Sequence, residues 1–307
     1  MNVTLLGPQR NVAAARAAVA ELMPDGAIAT VNAGWRERES DSAELSDVLG
    51  GRMRNLELYR RWQQLIAEDA GYADEERTLT LTLNELQSLY TIRLRHAMAA
   101  LQAVTRRREL PQVAASARDD CIAAIQALDR WHLDAVARAR TEFYTRVRLG
   151  ERATVARHRS EIADQVAGCS GLVVTGGHVG VLLHVLHVFG LARLITEAPH
   201  RPLITWSAGA MALSDRVVLF HDHLVPPESA GLELRPAELF AEGLGIYSGV
   251  LPFPHARRRL RLDDPDHVRQ MAQRFSPRRC LVLPDGVRVD LRDDEPFPAG
   301  ARWLPAA

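Results

Sequence analysis

No apolar run in the 307 residues reaches the ~18–20 that a membrane-spanning helix needs. The opening stretch, MNVTLLGPQRNVAAA, lacks a basic segment followed by a long apolar one, so a secretory leader is not expected. Charge of one sign is also missing: 38 Lys and Arg stand against 38 Asp and Glu. A nucleic-acid or anionic-membrane partner is therefore not expected. Cysteine is scarce, and Cys121, Cys169 and Cys280 lie far apart with no metal-like pairing. They read as apolar thiols in a reducing setting, which makes the expected location cytoplasmic. No HExxH-like helical pair suggests zinc, so no metal is expected, and the chemistry read below requires no cofactor. What remains is a chain of 47% apolar composition, enough for one large domain or two smaller ones.

Glycine and proline are themselves unevenly absent. Residues 51–166 contain few of either and are rich in Arg, Ala, Leu and Glu. Leu94, Met98, Leu101 and Val104 form one apolar stripe. Ile122, Ile125, Asp129, His132, Val136, Ala139, Phe143 and Val147 step by three or four, the period of amphipathic helices. Two long antiparallel helices turning near Pro111 are expected, forming an all-helical insertion. The flanking segments, 1–50 and 167–307, alternate strands with helices and predict an α/β domain on a mostly parallel sheet. Expected strands are Val3–Leu6, Ala27–Val31, Gly171–Val174, Leu203–Thr205, Val217–Phe220 and Leu281–Leu283. Expected helices are Asn11–Leu22, Val179–Phe189 and one opening at Ala208.

Chemistry concentrates in three places. In LITWSAGAMAL an apolar strand runs into a tight small-residue turn and a helix, the setting of a nucleophile elbow, with Ser207 at the turn. Serine is also a favoured helix cap, so Ser207 has a purely structural reading too. Thr205 stands two before it, where the common elbow has glycine. In VVTGGHVGVLLHVL a strand ends in two glycines before a helix; such a loop can aim backbone N–H groups at an oxyanion, with the Ala208 N–H as the second donor. A plain strand-to-helix turn is the alternative. In GLGIYSGVLPFPHARRRLRLDD, His255 follows a Pro-rich turn and precedes a basic run. Histidine is the usual base for serine, but the chain has 11 histidines. His178, His184, His187, His221 and His223 compete, of which His184 and His187 read as packing or surface residues on an apolar helix.

Together, GGHVGVLL, WSAGA and the GLG…G…PH…R.R run resemble the peptidase E and cyanophycinase family of serine peptidases. The GPQR and NAGWRERES stretches also look like the start of such a domain. The resemblance covers about 1–50 and 167–290. It implies a three-layer α/β sandwich of the class I glutamine amidotransferase type. By position it makes Ser207 the nucleophile and His255 the base. It makes Asp222, in VVLFHDHLVPPES, the acid that orients the histidine, with Glu228 in reserve, and Gly177 and Ala208 the oxyanion donors. Family members act on acidic substrates, and arginine binds carboxylates through a planar fork. Arg259 or Arg261 is therefore expected to hold a substrate carboxylate; a solvated face paired with Asp263 and Asp264 is the alternative. His178 and Thr205 depart from the family pattern and are expected to touch the pocket. The insertion is expected to act as a lid or as a homodimer interface.

The leading expectation is thus a serine peptidase or related amide hydrolase acting on small, acidic peptides. A non-catalytic binding or assembly protein retaining the fold is the alternative. A glutamine amidotransferase proper is disfavoured, because no cysteine occupies the elbow. An α/β-hydrolase esterase is disfavoured by Thr205 and by an acid only fifteen residues after the serine.

Overall fold

The computed structural model describes residues 2–9, 12–107, 109–220, 236–256, 260, 262–292, 295, 298 and 300–305. Its centre is a six-stranded sheet. The strands are β1 (Asn2–Leu6), β2 (Ala27–Val31), β3 (Met53–Asn55), β4 (Cys169–Val174), β5 (Leu203–Trp206) and β10 (Arg288–Arg292), in the order β10-β1-β5-β4-β2-β3. All neighbours are parallel except β10, which runs antiparallel to β1 at one edge. β3 lies inside the stretch 51–166 yet pairs with β2, so the wholly helical part begins after it.

Alternation along the strands builds two cores. Leu6, Ile28, Val173, Ile204 and Trp206 pack against Ala15, Ala18 and Val19 of α1 (Ala13–Leu22) and Leu45 and Val48 of α2 (Ala43–Val48). Leu5, Val31, Leu172 and Val174 face the opposite layer. There, α3 (Leu58–Glu68), α6 (Ala153–Ala167) and α7 (Val179–Val188) contribute Leu65, Ile162, Leu182, Leu183 and Leu186. Helices on both faces of a largely parallel sheet make the expected three-layer α/β sandwich.

The insertion's two long helices are α4 (Ala70–Thr105) and α5 (Pro111–Val147). At 1.5 Å per residue each extends about 54 Å. Asp69 caps α4 by accepting from the Tyr72 N–H, and Pro111 sits in the first turn of α5, where its missing N–H costs nothing. The stripe read from the sequence is the packed one: Ile122, Ile125, Asp129, His132, Val136, Phe143 and Val147 are all buried. The hairpin does not stand free. Tyr90, Leu94, Ile122 and Ile125 pack with Leu239, Phe253, Met271 and Phe275. These come from β7 (Glu238–Glu242), β8 (Val250–Pro254) and a helix, Pro265–Phe275, taken here as α10 after α8 (Leu191–Thr196) and α9 (Ala208–Leu213).

β6 (Arg216–Leu219) pairs antiparallel with β7, and β8 pairs parallel with β9 (Arg279–Leu283). The Pro-rich turn expected before His255 is in fact the strand β8. Its residues are all buried, and Pro252 and Pro254 are tolerated because the only paired neighbour among the described residues is β9. Among the described residues, no helix is long and apolar enough to cross a membrane.

Candidate active site

The C-terminal ends of the parallel strands, where open α/β sheets bind ligands, bring the candidate residues together. Ser207 sits between β5 and α9 with φ 50° and ψ −122°. A non-glycine residue in that region is costly and is held only by its surroundings. Here the surroundings are tight. A Cβ on Gly209 would meet the Val174 carbonyl oxygen at 2.5 Å, and Ala210 is wholly buried. Thr205 lies under the elbow, fully buried, with its hydroxyl donating to the Val174 carbonyl at 3.0 Å. It therefore anchors the turn instead of touching the pocket as expected. The Ser207 side chain makes no capping bond to α9, so the cap reading of this residue has no support.

The two glycines after β4 press against the elbow. A Cβ on Gly176 would meet the Ser207 Cβ at 2.9 Å and the Ala208 nitrogen at 3.6 Å. Gly177 has φ 114°, and a Cβ there would lie 2.3 Å from the Gly34 carbonyl oxygen, which itself accepts from the His178 N–H at 2.7 Å. The loop after β2 thus clamps the loop after β4. Gly177→Ala meets both an unfavourable backbone angle and a clash with the Gly34 backbone, so the loop beside the serine must shift. If the Gly177 N–H serves as an oxyanion donor, the expected result is a fall in kcat of about 100- to 1000-fold, the usual loss for one such donor, with KM changed much less; steady-state kinetics on a hydrolysed substrate checks it.

His255 follows β8 with φ 58° and, like Ser207, is half-buried. Both line one cavity of about 460 Å³, together with Gly176, Gly177, Ala208, Phe220 and Pro254. The structure therefore brings four of the proposed residues (Ser207, His255, Gly177 and Ala208) to one place. It does not bring His178 there. That side chain caps α7, its Nδ1 accepting from the Val181 N–H at 3.2 Å. His184 is engaged elsewhere, its Nε2 3.2 Å from the carboxylate of the buried Glu76. Burial, with the nearby Arg140 charge, pushes the His187 imidazole down to about 4. Asp222, Glu228, Arg259 and Arg261 lie outside the described residues, as do His221 and His223. Among the described residues no cluster of His, Cys, Asp and Glu could hold a metal ion.

Three contributors were not singled out from the sequence: Gln9, Gly34 and Trp35. Gln9 and Trp35 line the serine cavity, and Gly34 supplies the clamp. Their signal in the sequence was the resemblance of GPQR and NAGWRERES to the start of a peptidase E-like domain; in the structure both stretches follow strands, β1 and β2, at the same end of the sheet.

Comparison with known proteins gives three findings. The model of peptidase family S51 matches residues 140–295, just over half of the chain. No curated protein matches. Among solved structures, a peptidase from an acI-B1 actinobacterium is similar at 13% identity with a TM-score of 0.47, covering 99% of this chain and 94% of that one. A protein described as a peptidase E from Listeria monocytogenes EGD-e is similar at 12% identity with a TM-score of 0.43, covering 99% of each chain.

Proposed function

The chain belongs to peptidase family S51, and from that premise we propose that it is a serine peptidase in which Ser207 and His255 carry the reaction. The observation behind this reading is the elbow. Ser207 is held in a sparsely populated backbone conformation, makes no capping bond, and faces the same cavity as His255.

In this reading the His255 imidazole takes the proton from the Ser207 hydroxyl as the oxygen attacks the scissile carbonyl. The N–H groups of Gly177 and Ala208 receive the developing oxyanion. The tetrahedral adduct collapses, His255 gives its proton to the leaving amine, and an acyl ester on Ser207 remains. Water, deprotonated by the same histidine, releases the acid and restores the serine. Asp222, with Glu228 in reserve, is the carboxylate we assign behind the imidazole. Arg259 or Arg261 is the cation we assign to a substrate carboxylate, which makes acidic peptides the substrate class. Three free cysteines suit a reducing, cytoplasmic setting. The exposed Leu81, Leu89 and Ile92 on α4 are the surface we assign to a homodimer.

The test is covalent. A fluorophosphonate is expected to label the purified protein once, with the added mass located on Ser207, and acidic dipeptides are expected to compete. A folded protein that takes up no label at Ser207 would point instead to a binding protein that keeps the fold.

A further inference from the structure

A second cavity of about 330 Å³ adjoins the serine cavity; Gln9, Trp35, Gly177 and Trp206 line both. Resting on the serine-peptidase reading above, we propose that this second cavity receives the side chain of a residue flanking the scissile bond, and that it selects an aromatic or large aliphatic one.

The walls carry the argument. Trp35 and Trp206 form the partition with the serine cavity, while Ala15, Leu45 and Val48 from the helices beneath supply a buried apolar floor. Indole faces and aliphatic groups favour an aromatic or branched apolar occupant. The space is adequate, since apolar protein cavities of about 150 Å³ accept benzene.

The Gln9 amide and the charged side chains of the lining are already committed or at the rim. The Gln9 amide donates to the Gly7 carbonyl at 2.8 Å and accepts from the Ala15 N–H at 3.1 Å. Arg38 is paired with Asp41 at 2.9 Å, both exposed. Glu44 is exposed as well. None of the lining residues has a buried polar atom lacking a partner. A charged side chain entering here would lose water and meet only screened, surface charge in return. An acidic one would also face Asp41 and Glu44. The position of the cavity fits a subsite, because Gly177, whose N–H is assigned to the oxyanion, belongs to both spaces. A carbonyl held at that N–H has its neighbouring residues at the partition.

The experiment uses the full chain and two peptide series, Asp-Xaa and Xaa-Asp, with Xaa as Gly, Ala, Leu, Phe, Arg or Glu. In one series kcat/KM is expected to rise about 10- to 100-fold from Gly to Phe, the range one hydrophobic pocket discriminates, while Arg and Glu stay near Gly. The Phe-to-Gly ratio needs no absolute rate, so it can be compared across variants whose thermal unfolding shows them folded. Trp35→Ala is expected to reduce that ratio to a few-fold, and Trp35→Phe to restore part of it. Ala15→Leu, which fills the floor, is expected to lower the ratio by rejecting Phe. Flat series, a preference for Arg, or an unchanged ratio in Trp35→Ala and Ala15→Leu, in a protein labelled at Ser207, overturns the subsite and leaves the serine reading standing. Absence of labelling removes the serine reading and the subsite with it.

Discussion

Ser207→Ala is expected to lower kcat by about ten-thousand- to million-fold, the cost of removing a nucleophile from a unit that works as one. In the proposed mechanism the serine and the histidine act in the same step, so His255→Ala should cost a comparable amount, and the double variant should fall little further. The fold should not suffer. Ser207 pays out nothing to a helix cap, and its left-handed φ of 50° is a conformational burden of about 1–3 kcal/mol for any residue with a Cβ. Ser207→Gly is therefore expected to be inactive and to unfold at a higher temperature than the parent. Kinetics on a cleaved peptide, beside thermal unfolding of the same preparations, separates the two effects. A Ser207→Ala protein that keeps its activity, or a Ser207→Gly protein that unfolds earlier, would contradict the idea of an elbow strained for function.

Asp129→Ala is expected to be the most damaging single change outside the site. Asp129 and Arg274 are both buried, and their side chains meet through two 2.8 Å hydrogen bonds. Tyr90 donates to the same carboxylate at 2.7 Å and accepts from Arg274 at 2.9 Å, while Arg274 also donates to the Ala237 carbonyl at 2.7 Å. One cluster thus fastens α4 and α5 to α10 and to the chain leading into β7. Removing the carboxylate leaves a buried guanidinium without its counter-charge, a loss of about 3–5 kcal/mol. For a protein of this size the unfolding midpoint should fall by on the order of 10 °C. The apolar double variant Asp129→Leu, Arg274→Met should recover much of that loss, since it removes the charge that would otherwise be stranded. If the double variant is no more stable than Asp129→Ala, the cluster contributes through geometry alone and the desolvation argument fails.

Features that depend on near neighbours in the chain were legible in the sequence. LITWSAGA carries its own strand, turn and helix, and the three- and four-residue steps from Ile122 to Val147 announce a buried face with no partner needed. Features made by contact between distant segments were not. Nothing around Gly34 indicates that its carbonyl will rest against Gly177. β3 is only three residues long and is a strand because β2 offers an edge. β8 contains two prolines, which argue locally for a turn; burial beside β9 decides otherwise. His178 and Thr205 stand at site-like positions in the motif, but the backbone turns one into a cap and the other into an anchor.

The place of β1 in the sheet has a bearing on how the chain is made. It precedes both of its neighbours in the chain: one edge is completed by β5 and the other by β10. Thr4 and its partner Asp290 are 286 positions apart. At ribosomal rates of roughly 5–20 residues per second, β1 waits on the order of 15–60 s with an unpaired edge. A short apolar strand left open for that long is a site for wrong pairing between nascent chains. The protein's yield in a cell should thus depend on what shields residues 2–6 during translation.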